Sequence, residues 1–228
     1  MKTLVKNRLR SLVASINGRR YSRQLKVFCV GRNKTGTTSL AKLFQQLEIP
    51  VGEQRTAERL FADWAAGDYK RLIEYVRFGG IAFQDVPFSL PNTYRVMDEA
   101  FPGSKFILTV RDSPEVWYDS LVRFQTKLFG KDGQLPTRAD LEAATYIEPG
   151  WVWRVFSTLQ ATPDDDLYNK ATFIRSYEDH NREVRAYFAD RPGQLLTVNV
   201  KDDDAAARIA TFLGYDDVPV AMPWENKT

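Results

Sequence analysis

The sequence predicts an α/β fold in three layers, with a mainly parallel central sheet of four or five strands flanked by helices. Three observations predict it. Four short apolar runs have β-type composition, Lys26–Gly31, Ile81–Val86, Lys105–Val110 and Gln194–Val200, and helical patterns separate them. The runs are apolar throughout rather than alternating, as in strands buried on both faces. The 228 residues, 43% of them hydrophobic, are enough for one sizeable core. Strands joined through helices form βαβ units, whose sheets are parallel.

In chain order, residues 1–24 come first as a basic arm. They carry Lys2, Lys6, Arg8, Arg10, Arg19, Arg20 and Arg23 and no acid, a charge of +7. The rest of the chain holds 25 basic and 29 acidic residues, so the net +3 belongs to the arm. A basic balance confined to one arm does not indicate a nucleic-acid-binding domain. Leu4, Val5, Leu9, Leu12, Val13 and Ile16 share one helical face, which allows peripheral contact of residues 1–20 with anionic lipid. No apolar run reaches transmembrane length.

Residues 25–228 read as a single domain. After the first strand the helical patterns are Thr38–Leu47, Gln54–Ala66, Tyr69–Phe78, Asn92–Phe101, Pro114–Phe129, Trp151–Leu159, Leu167–Phe188 and Asp204–Leu213. Pro114 suits a first helical turn with Asp112 or Ser113 as cap, and Gly214 suits a helix end. Phe129–Arg138 is the most loop-like internal stretch and a candidate lid. The single Cys29 lies in an apolar run and reads as a buried thiol, consistent with a reducing, cytoplasmic setting. With one histidine and no Cys/His cluster, a structural zinc site is excluded.

The most informative segment is Gly31-Arg32-Asn33-Lys34-Thr35-Gly36-Thr37-Thr38-Ser39, between the first strand and the first helix. Unpaired N–H groups and the positive end of a helix dipole there favour an anion. Gly31 and Gly36 let backbone approach it closely, Lys34 adds charge, and Thr35, Thr37, Thr38 and Ser39 add hydroxyls. The glycines have the spacing of the nucleotide loop G-x-x-x-x-G-K-[ST], but the lysine sits two residues before Gly36, which disfavours an ordinary ATP or GTP site.

A second anion signal follows the third strand, in Arg111-Asp112-Ser113-Pro114. An arginine at the carboxyl end of a buried strand stands where open α/β sheets bind ligands. A helix from Pro114 turns Trp117 and Ser120 to one side. Arg111 suits a phosphate, and equally an ion pair with Asp112 or Glu115.

Lys34-Thr35-Gly36-Thr37-Thr38 resembles the loop of sulfotransferases that holds the 5′-phosphosulfate of PAPS (3′-phosphoadenosine 5′-phosphosulfate). The strand-Arg111-Asp112-x-Pro114-helix-Ser120 segment resembles their 3′-phosphate motif, although in many members the serine stands where Asp119 is here. The resemblance covers residues 26–228 and includes the terminal Pro223-Trp224-Glu225-Asn226. It implies a P-loop-like α/β fold and PAPS as donor, with PAP as product. Arg32, Lys34, Thr35, Gly36, Thr37, Thr38, Ser39, Arg111 and Ser120 would hold the donor, and no metal is implied.

In many relatives a His-x-Pro after the second strand carries the base. Asp85-Val86-Pro87 matches that spacing with an aspartate. An exposed aspartate, with pKa about 3.9, is a feeble base, which burial would strengthen and Lys34 or Arg111 would weaken. His180 is the second choice. Phe88, Trp117, Phe124, Phe129, Trp151 and Trp153 are candidates to line an acceptor pocket for a small-molecule, carbohydrate or lipid hydroxyl or amine. Two other readings stay open: a kinase using ATP and Mg²⁺ with Asp85 as its second-strand carboxylate, and a non-catalytic nucleotide-binding scaffold.

Overall fold

The computed structural model describes residues 20–160, 162–216 and 220–223. The basic arm, apart from residues 20–24, and the Trp224-Glu225-Asn226 segment lie outside the described residues.

Four strands form one parallel sheet in the order β2-β1-β3-β4. They are β1 (Val27–Cys29), β2 (Ala82–Phe83), β3 (Lys105–Thr109) and β4 (Leu195–Val198). The register places Phe28 beside Phe83 on one side and Phe106 on the other, and Thr109 beside Val198. Side chains alternate across the sheet, so each face has its own core. Val27, Cys29, Ala82, Ile107 and Val198 face α1 (Thr37–Gln46) and α10 (Ala205–Leu213). Phe28, Val30, Phe83, Phe106 and Leu108 face α4 (Lys70–Gly79), α5 (Thr93–Ala100) and the second half of α9 (Lys170–Tyr187). This is the expected three-layer α/β arrangement, and both faces are covered, as uniformly apolar strands require.

A third cluster contains no strand residue. Phe61, Trp117, Leu121, Leu141, Trp151, Phe156, Phe173 and Tyr177 join α3 (Phe61–Ala65), α6 (Pro114–Phe129), α7 (Arg138–Ala143), α8 (Trp151–Leu159) and the first half of α9. Trp117 bonds the β1 loop and Tyr177 bonds Arg111 after β3, so this helical cap sits by the carboxyl ends of the strands.

The structure corrects several predicted bounds. The single helix expected over Gln54–Ala66 is two, α2 (Gln54–Glu58) and α3. Ala57 and Leu60 bury in the sheet core while Phe61 buries in the cap, so the chain turns between them to serve both. β2 is shorter than expected because Asp85, two residues past its end, takes a left-handed φ of 65°. Helix α7 was not anticipated. Its signal was local: Thr137 and Asp140 form a capping box, each side chain meeting the other's backbone N–H. Ser113 is the cap of α6, with Oγ accepting from the Val116 N–H at 3.2 Å, and Gly214 closes α10 at φ 84°. Cys29 is a fully buried thiol, its pKa pushed up to about 11 by burial. Among the described residues, no helix is long and apolar enough to cross a membrane.

Candidate active site

The loop after β1 is fixed by its carbonyls. Arg32 O accepts from Thr35 Oγ1 at 2.6 Å, Asn33 O from Trp117 Nε1 at 2.9 Å, and Lys34 O from Arg111 Nε at 2.6 Å. Three consecutive carbonyls are thus drawn onto the protein. Lys34 takes φ 72° and Gly36 φ 103°, which turns the chain into α1. Gly36 is the N-cap, and no side chain caps the helix. The N–H groups of a first helical turn have no partner within the helix, so α1 presents them with nothing from the cap to occupy them.

The structure gives the two glycines a physical reason of their own, beside the close approach to an anion that the sequence suggests. A Cβ on Gly31 would stand 2.1 Å from Thr109 Oγ1 and 2.5 Å from its carbonyl, and one on Gly36 would stand 2.3 Å from Val200 Cγ2. Neighbouring chain presses on both positions, and at Gly36 the φ of 103° adds its own demand for glycine. Thr109, which sequence reasoning missed, keys the loop from below: its hydroxyl is 2.6 Å from Thr35 Oγ1 and 3.6 Å from Cys29 Sγ. The Thr35 hydroxyl and N–H are therefore both engaged inside the protein. Thr37 and Ser39 are buried and Thr38 is exposed.

Lys34 is half-buried, with Nζ 3.9 Å from the centroid of the Phe124 ring. Burial, and next Arg111, hold its pKa below the ordinary lysine value. Arg111 follows β3. Its Nε is tied to the loop at Lys34 O, and its N–H donates to Tyr177 Oη at 3.0 Å. The neighbouring Asp112 pairs with Lys201 at 3.1 Å instead. Among the described residues, neither Lys34 nor Arg111 has a carboxylate within ion-pair distance. Ser120 is buried on α6, and its Oγ has no hydrogen-bond partner. Asp119 is exposed and faces Lys170 at 3.9 Å, so Ser120 is the inward-facing member of the two.

Asp85 stands past the end of β2. Its Oδ1 accepts the Val86 N–H at 3.0 Å. Burial, helped by the nearby Glu58 charge, pushes its pKa up to about 6 against the pull of Lys34. Of the two opposing influences the sequence suggested, burial prevails. His180 is elsewhere in role. Its Nε2–H donates to Val30 O at 2.7 Å, and burial beside Arg32 drives its pKa down to about 3, so it is a neutral residue holding the strand end.

Beside Asp85 opens a cavity of about 180 Å³. Its walls are largely apolar and come from α6, α8 and α9, with Leu121, Phe124, Phe129, Trp151, Val155 and Phe156 prominent. Trp117, Phe124, Phe129 and Trp151 line it as expected. Phe88 packs in the sheet core instead, and Trp153 stacks outside on Phe156. Its polar lining includes Arg32, Asn33, Glu58, Asp85 and Ser89. Glu58 is a buried carboxylate that sequence reasoning missed, and burial raises its pKa. It accepts hydrogen bonds from Gln54 Nε2 at 3.1 Å and Tyr146 Oη at 3.2 Å.

A family model described as a sulfotransferase domain matches residues 26–228, the whole of the sheet and both anion-suited strand ends. The chain belongs to the sulfotransferase family. No curated protein sequence matches it. The family makes this chain a transferase that moves a sulfuryl group, and its small-molecule acceptor is a family-level expectation. In a sulfotransferase the two requirements are a cradle for an anionic donor and a place for an acceptor oxygen or nitrogen within reach of a base.

Proposed function

We propose that this sulfotransferase takes its sulfuryl group from PAPS and transfers it to a hydroxyl or amine seated in the Asp85 cavity. The observation that carries the proposal is the Arg111 Nε–Lys34 O bond of 2.6 Å, which fastens two cations that lack carboxylate partners among the described residues beside a helix start with no side-chain cap. Such a pair suits a nucleotide with two separated anionic groups. Lys34, the Gly36 backbone, Thr37, Thr38 and Ser39 would hold the 5′ end, and Arg111 with Ser120 the 3′-phosphate. Thr35 serves by bracing the loop against Thr109. When bound, PAPS supplies the sulfuryl group and a phosphate leaving group.

Asp85 acts as the general base. With a pKa of about 6 it is ionised at neutral pH yet basic enough to accept a proton from an acceptor hydroxyl. Lys34 steadies the negative charge that grows on the leaving oxygen, in a half-buried place where such a charge is weakly solvated. Residues 25–228 act as one domain in this proposal, and residues 1–20 offer a membrane-peripheral contact at the cytoplasmic face.

The test is thermal unfolding of the full chain titrated with PAP, without added metal, and in parallel with ATP and Mg²⁺. Stabilisation by PAP at micromolar concentration is expected. Stabilisation by ATP and Mg²⁺ alone, or no response to millimolar PAP, overturns the donor assignment. PAP binding with no sulfated product from any acceptor leaves a nucleotide-binding scaffold instead.

A further inference from the structure

Arg32 sits on the donor loop, yet its side chain serves the other side of the site. It is 8% exposed, lines the cavity beside Asp85, and reaches towards α9, where Nη2 donates to Ser176 Oγ at 3.3 Å. No carboxylate lies within 4.0 Å of it among the described residues. A guanidinium has five N–H donors, and one bond to a hydroxyl leaves most of them unmatched. Burial pulls its pKa down to about 10, and the largest opposing influence is Glu183 on α9. A buried, unpaired cation is costly unless something arrives to match it. The groups around it do not. His180 is neutral and bonded to Val30 O, and Asn33 Oδ1 is held by Ser89 Oγ at 2.9 Å. The two carboxylates of the same cavity, Asp85 and Glu58, are engaged elsewhere, with the Val86 N–H and with Gln54, Arg55 and Tyr146.

We propose that Arg32 recognises the acceptor: its guanidinium binds a carboxylate carried on an otherwise apolar molecule whose hydroxyl or amine is the group sulfated. The inference rests on the cavity being the acceptor site of the sulfuryl transfer proposed above. The apolar walls from α6 and α8 take the body of the molecule, and the planar fork of Arg32 takes the carboxylate with paired hydrogen bonds. The substrate class is therefore the amphipathic hydroxy or amino acid, whose apolar body these largely apolar walls suit.

The experiment is calorimetric titration of the full chain at pH 8 with 8-hydroxyoctanoic acid and with its neutral primary amide, each with and without PAP. The acid is expected to bind about tenfold more tightly than the amide, the worth of one charge-assisted contact. Arg32→Gln should erase that preference, and Arg32→Lys should keep part of it. If Arg32→Gln does not fold, the acid-to-amide ratio in the wild type and in Arg32→Lys carries the test. Equal binding of acid and amide by the wild type, or binding of neither, overturns the inference. So does an Arg32→Gln variant that loses PAP while keeping its preference for the acid, since that returns Arg32 to the donor. A wild type that prefers the acid yet ignores PAP upholds the carboxylate site and removes the donor reading instead.

Discussion

Two strands of the sheet end in helices beside the candidate site, and the two junctions are finished in opposite ways. After β1 the chain passes through Lys34 and Gly36, both at positive φ, into a helix with no side-chain cap and no acid in its first turn. After β3 it passes into α6 with Ser113 as cap, Pro114 in the first turn, and Glu115 beside it. Pro114 removes one N–H that would need a partner, Ser113 Oγ occupies another, and Glu115 offsets the dipole. The second helix start answers its own electrostatic need, whereas the first is left to be answered from outside. An anion near β3 would therefore depend on the Arg111 side chain, while one at α1 would have backbone, dipole and Lys34 together. The Arg111–Lys34 carbonyl bond makes the two junctions one object.

The sharpest way to break the comparison is at Lys34. Lys34→Ala should lower kcat with PAPS by about a thousandfold, since it removes a charge needed most in the transition state. The helix start remains, so PAP affinity should fall far less. Steady-state kinetics beside PAP calorimetry separates the two, and a variant whose loss lies entirely in KM would make the lysine a binding residue only.

Asp85→Asn should cost about a hundredfold in kcat, the scale of general-base catalysis. The wild-type rate should rise with pH through about 6 and then level, because Asp85 must be ionised to accept a proton, and the variant should lose that limb. Stability moves the other way. A carboxyl whose folded pKa is raised from 3.8 to about 6 weakens the fold progressively as pH rises through that window, with the full penalty above it. Asp85→Asn should accordingly melt higher than wild type at pH 7.5, and the gap should close below pH ~4, where both side chains are neutral. A variant less stable at pH 7.5 would mean that Asp85 is a structural acceptor before it is a base.

What the sequence disclosed was local. The strand runs, the loop between β1 and α1, a cap at Asp112 or Ser113 and the inward face shared by Trp117 and Ser120 all follow from spacing within a few residues. The missed features depend on residues brought together by folding. Thr109 lies 74 residues from Thr35, and only the parallel register of β1 and β3 puts their hydroxyls in contact. Glu58 faces the cavity because the expected long helix breaks after it and Tyr146 folds over it from 88 residues away. The reach of Arg32 to Ser176 is set by how the first half of α9 joins the helical cap, which no periodicity in the loop encodes. Helix α7 is the exception, since the Thr137 and Asp140 of its capping box stand three residues apart in the sequence.

Arg111→Ala tests the β3 junction more gently. It should raise the PAPS KM by about thirtyfold while moving kcat little, because a charge-assisted contact remote from the reacting bond contributes uniform binding. Arg111 also fixes Lys34 O, so Arg111→Lys should restore charge without restoring that Nε bond. If kcat falls in both variants alike, Arg111 acts chiefly by positioning Lys34. The kcat of the lysine variant is the number that decides.

The smallest effect belongs to the cap of α6. Ser113→Ala removes the acceptor of the Val116 N–H and should lower stability by about 1 kcal/mol, read from urea unfolding. It should leave PAP affinity unchanged, since on this argument the α6 helix start binds nothing but its own cap. A gain in PAP affinity would mean that the N–H groups freed at this helix start can also greet the nucleotide. That would erase the contrast between the junctions, because the β3 end would then hold an anion by the same backbone means as the β1 end.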